Sequence, residues 1–122
     1  MLNVLVVESD AIVRNLLINV LSLHGFTVYE ATSEREALNL CKSLAGGQVD
    51  LLITDHETAG RGMTEEILAS CQNIQVLHIS GWPFELVEKK QALVPGSSFL
   101  KKPFTTQELL LTVRNLLNPQ KQ

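Results

Sequence analysis

The chain is poor in several features that mark particular classes of protein. Its 122 residues include 2 cysteines and 1 tryptophan, and aromatic residues make up 5% of it. No apolar run approaches the roughly 18 residues of a membrane-spanning helix, so we expect no membrane span. The N-terminal stretch lacks the basic region and cleavage site of a signal peptide, which indicates a cytoplasmic protein. Basic residues number 10 against 13 acidic ones, which argues against a nucleic-acid-binding face.

The two cysteines, Cys41 and Cys71, lie far apart in the sequence, each within a helix-like pattern. They have neither the spacing of a metal site nor that of a redox pair. Free cysteines of this kind behave as small apolar side chains, so we expect two buried, reduced thiols.

The chain does contain short apolar runs that end in polar residues. Leu51-Leu52-Ile53 is apolar without alternation, which is typical of a strand buried on both faces of a parallel sheet, and we predict this strand at about 49–54. It ends at Asp55. Ligands of open α/β sheets bind beyond the carboxyl ends of the strands, so Asp55 is placed for chemistry. An aspartate that merely caps a turn or helix would look the same.

Similar runs near residues 4–7, 27–30, 76–79 and 98–100 predict four more strands, and a helical pattern follows each strand. Strands that alternate with helices form a parallel sheet covered on both faces. We therefore predict an α/β, doubly wound (βα)5 protein with a single domain over residues 1–122. The first helix shows two apolar rows, Ile12-Leu16-Val20 and Val13-Leu17-Leu21.

Four of the predicted strands end in residues that could meet at one edge of the sheet. They are Glu8 with Ser9 and Asp10, then Asp55, Ser80 and Lys102. Neighbouring carboxylates repel each other and favour a cation, and a small set of oxygen ligands favours Mg²⁺. A carboxylate beside a divalent cation, a hydroxyl and a lysine can act as a nucleophile toward phosphorus. Taken singly, Ser80 is typical of a turn and Lys102 of a solvated lysine.

These residues resemble the receiver domain of two-component response regulators. The matching segments are VLVVESD, DLLITD, VLHISG and FLKKPF, and the resemblance covers almost the whole chain. It implies a flavodoxin-like fold with the strand order 2-1-3-4-5. It also implies a cis peptide between Lys102 and Pro103.

The resemblance further implies a role for each site residue. Asp55 would accept a phosphoryl group from a histidine kinase or phosphotransfer protein, with Lys102 and Ser80 binding the phosphate. Phe99 would be the aromatic switch that signals to an output protein or effector domain. Glu8, Asp55 and the backbone carbonyl of Glu57 would bind Mg²⁺. Such a domain is no enzyme beyond self-catalysed phosphoryl transfer and autodephosphorylation.

The sequence departs from the family pattern after the first strand. Two adjacent acids are usual there, whereas this chain has Glu8 followed by the neutral Ser9. A hydroxyl is a poorer Mg²⁺ ligand than a carboxylate, so we expect weak Mg²⁺ binding, with Ser9 or Asp10 as the further ligand.

Two other readings compete with this one. A phosphorylation-independent pseudo-receiver would use the same fold as a protein-binding module, which the neutral Ser9 favours. The sequence Asp55-His56-Glu57-Thr58 also resembles the nucleophile motif of haloacid-dehalogenase-type phosphatases. The order of motifs argues against that enzyme, because its nucleophile follows the first strand, and here Glu8 precedes Asp55.

Overall fold

A computed structural model defines residues 2–43, 48–55, 61–71, 73–89, 94 and 96–117. The strands are β1 (Asn3–Val7), β2 (Thr27–Ala31), β3 (Leu51–Asp55), β4 (Gln75–Ser80) and β5 (Ser98–Lys101). All pairings are parallel, and the sheet has the order β2-β1-β3-β4-β5. The predicted class and strand order are confirmed. The central strand begins at Leu51 and includes Asp55, so it is shifted slightly from the predicted 49–54.

Helices cover both faces of the sheet, as the unbroken apolar strands require. On one face, Val4, Ile53 and Leu77 pack with Leu17 and Leu109 from two of the helices. A second apolar cluster on the opposite face joins side chains of β1 and β3 to two other helices. The helices are α1 (Ala11–Leu23), α2 (Glu34–Ser43), α3 (Arg61–Ser70), α4 (Phe84–Lys89) and α5 (Thr106–Leu117).

The two apolar rows of α1 have different environments. Leu17, Val20 and Leu21 are buried, whereas Ile12 is 82% exposed and Leu16 is 43% exposed. With 3.6 residues per turn, Ile12 lies about 140° around the helix axis from Leu17 and cannot share its buried face. The Ile12-Leu16 part of the first predicted row is therefore a surface feature near the start of α1.

The two cysteines are buried and free, as expected, but they are not apart in space. Packing of α2 against α3 brings the two thiols together. Burial, followed by the hydrogen bond and charge interaction with the Cys71 thiol, raises the pKa of Cys41 to about 12. Their distance in the sequence gave no sign of this contact, because it depends on how two crossover helices pack.

None of the helices in the described ranges has the length and apolar character needed to cross a bilayer. The cytoplasmic location stays a prediction.

Candidate functional site

Polar side chains collect where the strands end at the carboxyl edge of the sheet. Glu8 directly follows β1, Asp55 ends β3, Ser80 ends β4, and Lys102 directly follows β5. Strands β1 and β3 are neighbours in the sheet although β2 separates them in the chain. The direction of winding reverses at this point, which leaves a crevice between the connections. Asp55 and Glu8 flank that crevice.

The Lys102 ammonium group lies against both carboxylates. Its Nζ is 3.0 Å from Glu8 Oε1 and 3.5 Å from Asp55 Oδ1. The side chains are 0% exposed in Glu8, 5% in Asp55 and 21% in Lys102. Charges this deeply buried need an opposite charge, because desolvation penalises each of them. Of the residues predicted for the site, the structure thus joins Glu8, Asp55 and Lys102 directly.

Glu8 responds strongly to this environment. Its pKa is raised from 4.5 to about 7, mainly by burial and then by the hydrogen bond with the Asp55 carboxyl group. The backbone N–H of Asp10 and the Lys102 ammonium act in the opposite direction without cancelling the rise. Near neutral pH, a proton therefore competes with any added cation for Glu8.

The loop after Glu8 is held by the start of α1. Asp10 Oδ1 accepts hydrogen bonds from the backbone N–H groups of Ile12 at 2.9 Å and Val13 at 3.4 Å, which makes Asp10 the N-cap. The N–H of Asp10 donates to Glu8 Oε2 at 3.1 Å. Ser9 lies between them and is exposed. Of the two candidates for a further metal ligand, Asp10 is thus engaged in capping.

The donor set fits a weakly held Mg²⁺. Glu8 and Asp55 already share one cation, Lys102 Nζ, and Mg²⁺ needs only one or two carboxylates with water completing its shell. Within the described part of the chain, no group of three or more acidic, histidine or cysteine side chains could hold a metal. The carbonyl of Glu57, the remaining predicted ligand, lies outside the described residues.

Ser80 and Lys102 are also linked through the backbone. The N–H of Lys102 donates to the Ser80 carbonyl at 2.7 Å, and Ser80 Oγ accepts from the N–H of Trp82 at 2.9 Å. The Lys102–Pro103 peptide is cis, which confirms that prediction. Ser80 is fully buried at the end of β4, next to the strand that ends in Asp55.

Phe99 lies in β5, paired in register with His78 of β4. Its half-buried ring meets the exposed ring of Phe84 edge to face, with a centroid distance of 5.4 Å and an interplanar angle of 73°. Such contacts are favourable beyond the apolar area they bury. Phe84 begins α4, so the predicted switch residue is in contact with a helix on the surface.

Sequence reasoning missed two features beside the site. Arg14, in the first turns of α1, donates from Nη1 to the carbonyl oxygens of Glu8 at 2.8 Å and Ser9 at 3.3 Å. Its place shortly after the Asp10 cap was the available signal, since a long side chain there can reach back over the loop.

The second missed feature is an apolar groove of about 370 Å³ next to Lys102. Val13 and Leu16 of α1 form one wall, and Pro103 and Phe104 form the other. The apolar Ile12-Leu16 row was the sequence signal for this groove, but the same pattern is equally typical of side chains buried in the core.

The sheet order and the buried acid–lysine cluster at its switch point define a flavodoxin-like α/β protein with a polar site. The sequence model of the response regulator receiver domain matches residues 4–114. The chain therefore belongs to the receiver domain family of two-component systems.

Curated relatives and solved structures agree with this assignment. The chain is 32% identical over 120 residues to the sensor kinase CckA of Brucella abortus, and 31% identical over 115 residues to the regulatory protein VirG of Agrobacterium tumefaciens. These alignments cover 96% and 92% of the chain, but 13% of CckA and 42% of VirG. The chain thus spans less than half of either relative.

Among solved structures, a response regulator receiver protein of Sinorhizobium medicae superimposes with a TM-score of 0.82 at 27% identity, covering 96% of this chain and 94% of that one. The receiver domain of the Saccharomyces cerevisiae response regulator Ssk1, solved with the phosphotransfer protein Ypd1, gives 0.81 at 19% identity. It covers 98% of this chain and 90% of the matched chain, and at that identity it supports the fold alone.

The first prediction concerns pH and Glu8. Because the folded-state pKa is raised to about 7, the stability linked to Glu8 is present below pH 4.5 and lost as the pH rises through 7. Glutamine does not titrate. In metal-free buffer, the free energy of unfolding of Glu8→Gln minus that of wild type should therefore rise by on the order of 2 kcal/mol between pH 4.5 and pH 8. Urea unfolding at both pH values measures this. The exposed Glu66→Gln serves as control, and an equal trend in both variants would contradict the prediction.

The second prediction concerns Ser9. Ser9→Asp adds a carboxylate beside Glu8 and Asp55, so Mg²⁺ should bind about tenfold more tightly or better. The same change should lower metal-free stability, since it adds a like charge to an acidic cluster. A Mg²⁺ titration at fixed ionic strength, followed by Trp82 fluorescence, measures the affinity. Ser22→Asp, at the far end of α1, controls for added charge alone. Equal affinities of wild type and Ser9→Asp would refute the role given to Ser9.

Proposed function

We propose that residues 1–122 form one receiver domain that accepts a phosphoryl group on Asp55 from a phosphohistidine of a histidine kinase or phosphotransfer protein. The observation that supports this most is the contact of Asp55 and Glu8 with Lys102 at the switch point of the sheet. Asp55 ends a strand buried along its whole length, so its carboxylate is held in place as a nucleophile should be.

The transfer requires little of the protein beyond positioning and charge. An oxygen of Asp55 attacks phosphorus, the phosphorus–nitrogen bond of phosphohistidine breaks, and the imidazole leaves with the bonding electron pair and takes up a proton. Lys102 then turns from the free carboxylates to the phosphoryl oxygens, and the Ser80 hydroxyl donates to them. Both contacts offset charge that grows on the transferring group.

Glu8 and Asp55 would hold Mg²⁺, together with the Glu57 carbonyl that the family resemblance implies. When bound, the ion supplies positive charge that lets a phosphate approach two carboxylates. Glu8 is the only acid that the β1–α1 loop turns toward Asp55 in the described structure, because Asp10 caps α1 and Ser9 is neutral.

The signal would leave the site through Ser80 and Phe99. When Ser80 turns to the phosphoryl group, it leaves its bond to the N–H of Trp82, and space opens beside β4 for the Phe99 ring. The Phe99 ring is in contact with Phe84, so its rotation alters the surface of α4. An output protein or effector domain would bind the altered surface.

The phosphoryl donor would dock on the apolar surface at the start of α1. A partner histidine can reach Asp55 only if its protein covers the rim of the crevice. Ile12, Leu16 and the groove beside Pro103 and Phe104 form an apolar part of that rim. Apolar side chains exposed next to a polar site are typical of a protein interface. The Ssk1 receiver, with the same fold, was solved with a phosphotransfer protein.

The family assignment does not favour the phosphatase, which requires its nucleophile after the first strand. A pseudo-receiver would have the same fold but would not be phosphorylated. Phosphoryl uptake by Asp55 therefore separates it from the function proposed.

The third prediction concerns the acceptor. Wild-type protein incubated with acetyl phosphate and Mg²⁺ should show a phosphoryl-sized mass gain, and Asp55→Asn should show none, because an amide oxygen is a far weaker nucleophile. Intact-protein mass spectrometry measures the gain. Asp50→Asn, at the residue directly before the opposite end of the same strand, is the matched control and should keep the uptake. Uptake that survives Asp55→Asn would reject the assignment.

The fourth prediction concerns donor docking. Ile12 and Leu23 are equally exposed, at 82% and 83%, but lie at opposite ends of α1. About 16 Å separates them along the helix. Ile12→Glu should slow phosphoryl transfer from a phosphorylated partner protein about tenfold, since it places a charge in an apolar interface core. Leu23→Glu should transfer at the wild-type rate.

Uptake from acetyl phosphate is the internal reference for this comparison, because it needs no protein partner. It should be the same in wild type, Ile12→Glu and Leu23→Glu. Equal transfer rates in the two variants would place the docking surface elsewhere.

A further inference from the structure

Arg14 donates side-chain hydrogen bonds to the backbone of the loop at residues 8–10, whereas Lys102 contacts the Glu8 carboxylate. Arg14 lies within α1, and its side chain is 14% exposed, whereas Glu30, its ion-pair partner on β2, is 57% exposed. Nη1 donates to the carbonyl oxygens of both Glu8 and Ser9, at 2.8 Å and 3.3 Å. A single guanidinium nitrogen therefore spans two consecutive peptide groups of the loop.

Those two carbonyl groups mark where the loop leaves the sheet. The N–H of Glu8 still donates to the Ala31 carbonyl, in continuation of the ladder between β1 and β2. Beyond this bond the chain turns into α1. A partly buried carbonyl is costly unless a donor reaches it, and a charged donor gives a stronger bond than a neutral one. Arg14 thus fixes the peptide planes on both sides of the Ser9 Cα atom.

The orientation of these peptides determines where the Glu8 side chain points. Glu8 is held through its N–H by Ala31, through its carbonyl by Arg14, and through Oε2 by the N–H of Asp10. Oε1 then faces Lys102 Nζ at 3.0 Å. Of these contacts, only the Arg14 bond comes from a side chain within α1.

We propose that Arg14 is a positioning residue for the acidic site: its hydrogen bonds to the Glu8 and Ser9 carbonyl groups hold the Glu8 carboxylate opposite Asp55 and so set the affinity for divalent cations. The inference rests on the metal site of the proposed function. It matters especially in this chain, where Ser9 leaves Glu8 as the sole carboxylate that the loop directs at Asp55.

Two simpler roles for Arg14 make different predictions. If its contact with Glu30 mattered most, removal of Glu30 would have the same effect. An ion pair at 3.5 Å whose carboxylate is 57% exposed to solvent contributes little. If Arg14 supplied only positive charge, lysine would replace it. Lysine places its nitrogen one atom closer to the backbone than Arg14 Nη1, and its hydrated ammonium group rotates freely, whereas the planar guanidinium fixes the directions of the two Nη1 N–H bonds.

The test compares the Mg²⁺ affinities of wild type, Arg14→Lys, Arg14→Gln, Glu30→Gln and Arg114→Lys by Trp82 fluorescence. Arg114 is exposed in the last turn of α5 and gives the same chemical change away from the site. We expect Arg14→Lys and Arg14→Gln each to bind Mg²⁺ about tenfold more weakly, as is usual when a residue that orients a ligand is lost. Glu30→Gln and Arg114→Lys should bind as wild type does.

Two further measurements separate positioning from general destabilisation. Backbone amide resonances of Ser9 and Asp10 should shift in Arg14→Lys without Mg²⁺, while the thermal unfolding midpoint stays close to wild type. Because wild-type affinity is expected to be weak, the series is repeated with Ser9→Asp, where every change is measurable.

The proposal is overturned if Arg14→Lys binds Mg²⁺ as tightly as wild type, or if Glu30→Gln is impaired as much as Arg14→Lys. A loss of affinity that only follows a fall in the unfolding midpoint also overturns it. None of these measurements uses a phosphoryl donor. Failure of wild type to take up phosphoryl from acetyl phosphate would therefore count against the proposed function and leave the conclusion on Arg14 unaffected.

Discussion

Two buried carboxylates, Glu8 and Asp55, face one ammonium group, and the carboxyl edge of the sheet is arranged around that contact. Like charges about 4 Å apart repel by roughly 4 kcal/mol at an effective dielectric constant of 20. The protein offsets this in two ways that the structure shows: Lys102 lies against both oxygens, and the pKa of Glu8 is raised to about 7 by burial and by Asp55. The Lys102 ammonium group and a proton on Glu8 therefore occupy the position where a further cation would be stabilised.

Such a cluster is possible only because the strands hold it. Asp55 ends a strand whose five residues are all buried, and Glu8 follows a strand with four buried residues. The sheet order places these two strand ends side by side. Lys102 directly follows β5, which β4 separates from β3 in the sheet. Parallel strands that share one carboxyl edge thus convert three residues distant in sequence into one site. The apolar core fixes where the strand ends lie, and the side chains at those ends supply the charged groups.

Much of this was predictable, because strand ends are readable in a sequence and parallel topology places them together. The proximity of Asp55, Glu8 and Lys102 was predicted in this way, whereas the strand order and the cis Lys102–Pro103 peptide were predicted from the resemblance to receiver domains. Contacts between helices could not be predicted from the sequence. The meeting of Cys41 with Cys71 depends on how α2 packs on α3, and the exposure of Ile12 depends on which stripe of α1 faces the sheet. Periodicity identifies a helix, but several of its faces can look apolar.

Helix α1 links the interior of the site to its rim. Through Asp10 and Arg14 it holds the loop that carries Glu8, and through Ile12 and Leu16 it presents an apolar surface outside. Helices move as rigid elements more readily than they deform. In the proposed role, a donor that shifted α1 on binding its outer surface would also move the loop that carries Glu8. If the two sites are coupled in this way, the coupling is reciprocal, and each occupant alters the affinity for the other by the same factor.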